Sequence, residues 1–504
     1  MRCGTLEDEV IRLRHQVAWF QRQIFGQKSE RRIIENNSFQ GTLGYALDDL
    51  SPKDLPSKKH RVQSHDRQSK PRQCEDEATD ASLFFDESKV PIETIILSNP
   101  DTADLAPEEY EIIGEKVSYR LAQRPGSYVV LKYIRPVIKK RDTQIISCPP
   151  APVSVIDGSR ADVSLIAGLL VDKFAYHLPL YRQHQRLLDA GFKVSRPWLT
   201  QLCNYGCSLL EAIYLAQFNS VRASRVKAMD ETPIQAGQAG PGQLQKAYFW
   251  PVYGERDEVC FPFFTNRNYE CVEEALGLSS VEGGVLLSDG YGAYDRYADK
   301  TGIIRAQCWS HARRKFFKAQ DVESEGANQA LDIIGAIYQV ESRIREQRLT
   351  GIAKRDYRQQ YASPLVEQFF TWIEECFAHH GLLPSNPFIK ALAYALKRQD
   401  ALKVYLNDPD VPIDTNHLER ALRPIPMGRK NWLFAWTELG AKHIGIIQSL
   451  ITTCRLHHVD PYTYLVDVLQ RISSHPQRLI EQLTPRLWKQ HFADNPLRSD
   501  LDRF

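Results

Sequence analysis

The most constraining feature of the sequence is a short apolar run that ends on an acid. Residues 285–289 read VLLSD, and glycines follow at positions 290 and 292. An uncharged run of this length, rich in branched apolar residues, is typical of a strand buried on both faces. Such a strand would deliver Asp289 to its carboxyl end. The glycines lack side chains, so we expect them to let a large substrate approach the acid closely.

A second segment upstream repeats this arrangement. Residues 225–230 read RVKAMD, so a short strand would deliver Asp230 to its end, and Pro233 prevents regular continuation in a central strand. Two strand patterns, KAYFWPVYGE and EVCFPFFTN, and a helical pattern, YECVEEALGL, separate this segment from VLLSD, and GIIRAQCW follows as one more strand. This order predicts a mixed α/β, ribonuclease-H-like core whose first and fourth strands lie side by side.

In that fold Asp230 and Asp289 would face each other. Two neighbouring carboxylates repel, and the pKa of one rises unless a cation lies between them. Magnesium prefers oxygen ligands and keeps bound waters for chemistry, so we expect a magnesium site here. The alternative for each residue alone is structural, because an Asp after a strand commonly caps a following helix.

A third acid is expected from a helix far downstream, in IDTNHLERALRPIPMGRKNWLF. Glu419 and Arg423 lie one helical turn apart on a face beside the apolar stripe, which leaves that face available for chemistry. Two structural alternatives remain open. Asn416 and Glu419 have the spacing of a capping box, and Glu419 and Arg423 have the spacing of an i,i+4 ion pair.

Basic residues follow Asp289 and Glu419 in the sequence, although the formal net charge of the chain is only +2. Clusters of this kind beside aromatic residues suit a phosphate backbone near a metal site. We therefore predict that the following residues contact DNA: Arg313, Arg314, Lys315, Arg423, Arg429 and Lys430.

Four segments together resemble a known family. AMDETP, LLSDGY, CWSHARRKFF and IDTNHLERALRPIPMGRKNWLF are similar, in this order, to the motif blocks of the insertion sequence 66 family of bacterial DDE transposases. The resemblance begins at LRHQVAWFQRQIFGQKSERR near the N-terminus and reaches SLITTCRLHHVDPYTYLVDVLQRI near the C-terminus. A collinear match of this many blocks is specific, and it covers most of the chain.

The resemblance implies a catalytic and metal-binding triad of Asp230, Asp289 and Glu419. It implies two Mg²⁺ ions, with Mn²⁺ as a substitute, that serve cleavage and joining of DNA at the ends of the mobile element. The implied partners are element-end and target DNA, further copies of the chain and small accessory proteins encoded by the same element. Members of the family usually carry a zinc-binding module with CxxC pairs, but this chain has only Cys148 in that region, so we expect no zinc there.

Six regions are predicted along the chain. They are an N-terminal coiled-coil and basic helix (1–45), a flexible polar linker (46–89), a small β-rich module (90–158), a helical, helix-turn-helix-like DNA-binding segment (159–221), the catalytic domain (222–435) with a helical insertion at about 319–412, and a helical C-terminal region (436–504). The DNA-binding segment is predicted from a break at Gly191 followed by a helix that Ser195 caps.

The bulk composition is that of a globular protein, with 43% hydrophobic and 25% charged residues. We found no N-terminal signal pattern and no apolar run long enough to cross a bilayer, so we expect a cytoplasmic protein without membrane contact. The ten cysteines are scattered, as is usual where thiols stay reduced. The pairs Cys203 with Cys207 and Cys308 with His311 have metal-ligand spacing, but buried core cysteines are the commoner explanation.

Two other functions share these features. A metal-dependent nuclease or resolvase of the same fold would use the same acids but would not join a DNA 3′-hydroxyl to a target. A catalytically silent, transposase-derived repressor would keep the basic clusters and the helix-turn-helix-like segment. All three acids are present in the sequence, which favours the enzyme.

Overall fold

The computed structural model describes residues 83–502, apart from residues 86, 89, 104, 125, 241, 279–280, 380–384 and 432. The predicted coiled-coil helix and nearly all of the predicted linker lie outside the described residues. Among the described residues the chain forms a mixed α/β structure with three sheets, in which α-helices outnumber β-strands.

The first sheet lies within the predicted β-rich module. Its strands are β1 (Ile92–Ile96), β2 (Tyr110–Arg124), β3 (Ser127–Lys140) and β4 (Ile146–Ser147). β3 is the central strand, and it pairs in parallel with β1 and antiparallel with β2 and β4. Tyr133 on β3 is fully buried and donates a hydrogen bond of 2.8 Å to Asp500, so the C-terminal end of the chain covers this sheet.

Four helices follow the first sheet. They are α1 (Val163–Phe174), α2 (Leu180–Asp189), α3 (Arg196–Leu209) and α4 (Glu211–Arg222). The predicted break after α2 is confirmed, because Gly191 has a φ of +91°, a conformation that favours glycine. The predicted cap of α3 is also confirmed, since Ser195 Oγ accepts a hydrogen bond of 3.3 Å from the backbone N–H of Trp198.

The next segment supplies two sheets. Its strands are β5 (Val226–Met229), β6 (Thr232–Gly240), β7 (Gln243–Phe249), β8 (Val252–Gly254), β9 (Val259–Cys260), β10 (Phe263–Phe264), β11 (Val285–Ser288) and β12 (Ile304–Gln307). One sheet has the strand order β10-β7-β6, and the other has the order β12-β11-β5-β8-β9. In the five-stranded sheet β11 runs parallel to both β12 and β5, whereas β8 is antiparallel to β5.

Two strand predictions in this segment were too coarse. KAYFWPVYGE was predicted as one strand, but it divides at Pro251 into β7, in the three-stranded sheet, and β8, in the five-stranded sheet. Proline has no N–H with which to continue a ladder, so a strand commonly ends there. EVCFPFFTN divides in the same way at Pro262 into β9 and β10.

The remaining elements are helices between and after these strands. Within the catalytic segment they are α5 (Tyr269–Leu276), α6 (Gly292–Thr301), α7 (Trp309–Ala319), α8 (Ser324–Glu346), α9 (Gly351–Tyr357), α10 (Ser363–His379), α11 (Pro387–Leu396), α12 (Gln399–Asn407), α13 (Asn416–Leu422) and α14 (Pro424–Asn431). The C-terminal region adds α15 (Glu438–Leu456), α16 (Pro461–Arg471) and α17 (Pro485–His491). The predicted helical insertion corresponds to α8 to α12. None of the helices in the described part of the chain is long and apolar enough to cross a membrane.

A buried ion pair ties the insertion together. Arg358 lies in a π-helical turn (Arg358–Ala362) between α9 and α10, and its side chain is fully buried. Its guanidinium donates two hydrogen bonds, of 2.7 and 3.0 Å, to the carboxylate of Glu341 on α8. It also donates to the backbone carbonyls of Tyr405, Asp408 and Val411, at 2.7 to 3.1 Å. These contacts fix the chain segment that follows α12.

We expect Arg358→Met to destabilise the protein by about 3–5 kcal/mol, because Glu341 would remain buried without its partner. The measurement is the urea concentration at half-unfolding. Arg355→Met is the control, since Arg355 pairs with Asp356 at 3.0 Å on the surface and surface pairs contribute about 0–1 kcal/mol. Equal unfolding midpoints for the two variants would show that the buried pair does not stabilise the insertion.

Candidate active site

The ends of two neighbouring strands place Asp230 and Asp289 together. In the parallel pairing of β5 with β11, Val226 lies opposite Val285 and Ala228 lies opposite Leu287. Extending this register by two residues sets Asp230 opposite Asp289, just beyond the carboxyl end of each strand. Adjacent strands are about 4.8 Å apart, so the two acids leave the sheet at the same edge and on the same side.

Glu419 is brought to this edge through α7. The backbone N–H of Trp309, the first residue of α7, donates to Ile413 O at 3.1 Å, and Cys308 Sγ accepts two hydrogen bonds of 3.3 Å from Thr415. The N–H of Cys308 in turn donates to Ser288 O, next to Asp289. The start of α13 is therefore fixed beside the end of β11.

The charges of Asp289 and Glu419 both act on Asp230. Burial raises the pKa of Asp230 well above its usual range, and the negative charges of Glu231, Asp289 and Glu419 raise it further. A hydrogen bond of 2.8 Å from the N–H of Glu231 to Asp230 Oδ1 offsets this rise only in part. Ionised Asp230 is thus unfavourable in this site unless positive charge is added.

Glu419 makes neither of the two structural contacts that its sequence spacing allows. Asn416 is the first residue of α13, and its N–H donates to Asp414 Oδ1 at 3.0 Å, so no capping box forms between Asn416 and Glu419. The basic partner of Glu419 is Arg314 on α7, at 3.7 Å from Oε2. The other oxygen, Oε1, is buried without a hydrogen-bond partner. A buried carboxylate oxygen in this condition is available to a ligand.

Sequence reasoning missed the roles of two residues at this site. The side chain of Glu231 is only 6% exposed, forms an ion pair with Arg267 and accepts a hydrogen bond of 2.8 Å from Tyr294. Its position directly after Asp230 was the only available signal. The sequence suggested His311 and Cys308 as a pair of metal ligands. Cys308 Sγ instead accepts a hydrogen bond from the Thr415 hydroxyl. The negative charges of Asp289 and Glu419 act on the His311 ring. Burial, followed by the charge of Arg314, lowers the pKa of His311.

The structure also bears on the predictions for the glycines after Asp289 and for the pair Cys203 and Cys207. A side chain at Gly290 would collide with Arg398 and Tyr394, and the Arg398 guanidinium donates to Gly290 O at 3.0 Å, so the absence of a side chain here accommodates Arg398. Gly292 has open space within 4 Å. Cys203 and Cys207 are buried, and burial raises the pKa of the Cys203 thiol to about 11, as expected for core cysteines.

The site fits a hard divalent cation in charge and in ligand type. Its carboxylates supply oxygen ligands, Asp230 is disfavoured as an anion, and Glu419 Oε1 has no partner. Among the residues that the structure describes, however, no three His, Cys, Asp or Glu side chains already form a metal site. Glu419 is instead turned toward Arg314.

The six predicted DNA-contacting residues differ in their surroundings. Arg313, Lys315, Arg423 and Lys430 are exposed. Arg314 is half-buried beside Glu419, and Arg429 is half-buried and donates a hydrogen bond of 2.5 Å to Pro233 O, which holds α14 against β6. A DNA contact by each of the six remains a prediction.

Comparisons with known proteins identify the family. The family model described as "Transposase IS66 family" matches residues 158–443, which contain all three acids. This chain belongs to the IS66 family of transposases. The model described as "IS66 C-terminal element" matches residues 449–486 of this family member, and the model described as "Transposase C of IS166 homeodomain" matches residues 12–78, outside the described part.

Curated relatives of this IS66 family member come from Sinorhizobium fredii. The uncharacterized protein y4qI is 32% identical over 405 residues, which cover 76% of this chain and 73% of the relative. The uncharacterized protein y4hP is 29% identical over 408 residues, which cover 76% of this chain and 72% of the relative. The similarity is therefore spread over three quarters of each chain.

The raised pKa of Asp230 predicts that this acid reduces the stability of the metal-free protein. The folded state holds the proton to higher pH than the unfolded state does, so stability falls as the pH rises through the folded-state pKa. We expect Asp230→Asn to raise the melting temperature at pH 8 without metal by about 2 °C or more. The amide oxygen keeps the hydrogen bond from Glu231 N–H.

The control is Asp299→Asn, which removes an exposed carboxylate from α6 and should leave the melting temperature unchanged. Added Mg²⁺ should stabilise the wild type more than Asp230→Asn, because the variant lacks one of the three carboxylates that would bind the cation. A lower melting temperature for Asp230→Asn than for the wild type would contradict the repulsion argued here.

Proposed function

We propose that this chain is a transposase that binds the ends of its insertion sequence and catalyses metal-dependent DNA strand cleavage and strand transfer. Asp230, Asp289 and Glu419 form its catalytic triad. The observation that carries the proposal is the position of Asp230 and Asp289 at adjacent strand ends, where the charge of Glu419 also acts on Asp230. Membership of a transposase family supports the same chemistry.

The strand order supports a ribonuclease-H-like core. The five-stranded sheet places the first strand, β5, between the second strand, β8, and the fourth strand, β11. The first three strands form an antiparallel meander, and the last two run parallel to the first. The adjacency of β5 and β11 agrees with the expectation that the strands carrying Asp230 and Asp289 lie side by side.

The chemistry follows from the three carboxylates. Asp230, Asp289 and Glu419 would hold two magnesium ions, with manganese as a substitute, and such ions activate an attacking oxygen and stabilise a leaving oxygen. In cleavage, a water oxygen forms a bond to phosphorus while the P–O3′ bond breaks, which releases a 3′-hydroxyl. In joining, that 3′-hydroxyl displaces an O3′ of the target strand. Neither displacement requires a covalent intermediate with the protein.

Arg314 contributes positive charge beside the triad, and His311 contributes hydrogen-bonding capacity. Arg314 lies 3.7 Å from Glu419, so its guanidinium can orient this carboxylate and contact a phosphate oxygen. The buried Nδ1 of His311 has no hydrogen-bond partner within the structure, although its ring lies in the fields of Asp289 and Glu419. These two side chains would therefore approach a phosphate that is bound at the acids.

DNA recognition is assigned to two surfaces. Along α3, polar and aromatic residues are exposed on the face opposite the core, and they are Arg196, Thr200, Gln201, Asn204 and Tyr205. A helix that follows a tight turn and presents such a face is suited to a DNA groove. The exposed basic residues near the acids would position the phosphate backbone without reading bases. The predicted coiled coil, at residues 1–45, would join protomers so that one complex holds both element ends.

The decisive experiment is a strand-transfer assay with labelled end DNA from the element that carries the gene, in the presence of Mg²⁺. We expect the wild type to cleave and join, whereas Asp289→Asn and Glu419→Gln lose about 10³-fold or more of the rate because each removes a ligand charge. All three proteins should bind end DNA with similar affinity. Asp299→Asn, which removes an exposed acid from α6, is the matched control and should retain full activity.

Each alternative function gives a different result in this assay. Cleavage without joining would indicate a nuclease or resolvase. Binding without cleavage or joining by any variant, even with the small proteins of the same element added, would indicate a repressor. Full joining by Glu419→Gln would remove this residue from the triad.

The basic residues should separate into two classes by the salt dependence of DNA binding. Arg423 is exposed, so Arg423→Ala should weaken binding to every DNA sequence and reduce the slope of log affinity against log salt by about 1. Arg429 bonds to Pro233 O, so Arg429→Ala should mainly lower the melting temperature. Equal salt slopes for the wild type and Arg423→Ala would show that Arg423 makes no phosphate contact.

A further inference from the structure

Glu231 links three segments that surround the candidate acids. It directly follows Asp230 at the end of β5, and its side chain is almost completely buried. Its Oε1 pairs with Arg267, in the loop between β10 and α5, and its Oε2 accepts a hydrogen bond from Tyr294 on α6. Both carboxylate oxygens are thus engaged by groups of the protein.

The contacts of Arg267 lead from Glu231 to the loop that carries Asp289. The guanidinium of Arg267 lies over the ring of Tyr291, 4.3 Å from its centroid, and the Tyr291 hydroxyl donates a hydrogen bond of 3.0 Å to Arg267 O. The backbone N–H of Tyr291 donates to Asp289 Oδ1 at 2.9 Å. A continuous chain of contacts therefore runs from Glu231 through Arg267 and Tyr291 to the carboxylate of Asp289.

Tyr294 gives Glu231 a second connection to the same loop. Its ring packs edge-on against Tyr291 and Trp250, with centroids 6.0 and 6.2 Å away. The N–H of Glu231 also holds Asp230 Oδ1, so one residue contacts the first acid directly and orients the second through its neighbours. Placing a further carboxylate beside Asp230 and Asp289 is unfavourable, because like charges disfavour the ionised form. The charge-assisted bond to Arg267 offsets this repulsion.

We propose that Glu231 is a positioning residue that holds Asp230 and the Asp289 loop in a fixed relation through Arg267 and Tyr294. This proposal deepens the proposed function and rests on it for the catalytic consequence. Its structural part, the restraint of residues 289–294, is independent of any reaction. In this role Glu231 acts through its two protein contacts, one at each carboxylate oxygen, and not as a metal ligand.

The structural part is tested by hydrogen–deuterium exchange on the full chain without metal. We expect Glu231→Ala to speed amide exchange in residues 290–294 by about threefold or more, because loss of the link lets this segment open locally. Arg267→Gln removes the same link at its half-exposed partner and should also speed exchange in residues 290–294. It serves as the test if Glu231→Ala does not fold. Unchanged exchange in the variants that fold would overturn the proposal.

Glu273 provides a matched control. It lies on α5, and its carboxylate also binds a tyrosine hydroxyl and a cation, from Tyr269 and Lys300, but it makes no contact with the acids. Glu273→Ala should therefore leave exchange in residues 290–294 at the wild-type rate. Faster exchange there in this variant would show a general loosening of the fold, and it would overturn a specific role for Glu231.

The catalytic part is tested in the cleavage assay. We expect Glu231→Ala to lower the turnover rate by about 10- to 100-fold, because the catalytic acids would be misplaced. The Mg²⁺ concentration at half-maximal rate should rise. The affinity for end DNA should stay within about twofold of the wild-type value. Glu231→Gln should restore at least about a third of the wild-type rate. Its amide can accept from Arg267 and donate to the Tyr294 hydroxyl oxygen.

The outcomes separate positioning from metal binding and from failure of the proposed function. If Glu231→Gln is as inactive as Asp289→Asn, Glu231 is a metal ligand and the positioning role is wrong. If Glu231→Ala cleaves DNA like the wild type, the catalytic consequence is wrong. If the wild type neither cleaves nor joins DNA, the proposed function fails, and the exchange measurement alone decides whether Glu231 restrains the loop.

Discussion

The parallel pairing of β5 with β11 is the interaction on which the rest of the site depends. Both strands lie inside the five-stranded sheet, so each is hydrogen-bonded on its two sides and consists of buried residues. A slip of two residues in their register would separate Asp230 from Asp289 by nearly 7 Å along the strands, at about 3.3 Å per residue. The apolar residues that bury these strands therefore also determine the separation of the two acids.

The same arrangement creates an electrostatic problem at the sheet edge. Asp230, Asp289, Glu231 and Glu419 concentrate four carboxylates where burial already raises the pKa of Asp230. Among the residues that the structure describes, Arg267 beside Glu231 and Arg314 beside Glu419 balance part of this charge. Unfavourable repulsion of this kind is common at sites that bind a ligand, because the bound ligand supplies the interactions that offset the repulsion.

The sequence was informative wherever a local pattern determines the structure. Asp230 and Asp289 were predicted from apolar runs that end on an acid, and the start of α3 was predicted from Ser195 and the break at Gly191. The three-residue strand β8 was merged with β7, because so short a segment has no periodicity of its own. Local patterns thus located the strand ends but not the division of the strands between two sheets.

Contacts between distant segments could not be read from the sequence. Glu419 has the spacing of a capping box and of an ion pair with Arg423, and only the resemblance to a family favoured a catalytic role. The decisive contacts, from Thr415 to Cys308 and from Arg314 to Glu419, join residues about a hundred positions apart. The roles of Glu231 and His311 likewise depend on tertiary neighbours, which no spacing rule identifies.

The position of the third acid also gives the helical insertion a function beyond spacing. A flexible connection of its length would place Glu419 near the sheet edge only at a cost in loop-closure entropy. The insertion removes this freedom, because the fully buried Arg358 binds three carbonyls between Tyr405 and Val411, and Tyr338 on α8 donates a hydrogen bond of 2.9 Å to Asp414. Together with the bonds from α7 to residues 413–415, these contacts leave α13 few alternative positions. These contacts of the helical insertion compensate for the distance between Asp289 and Glu419 in the sequence, so the geometry of the candidate triad depends on the insertion as well as on the sheet.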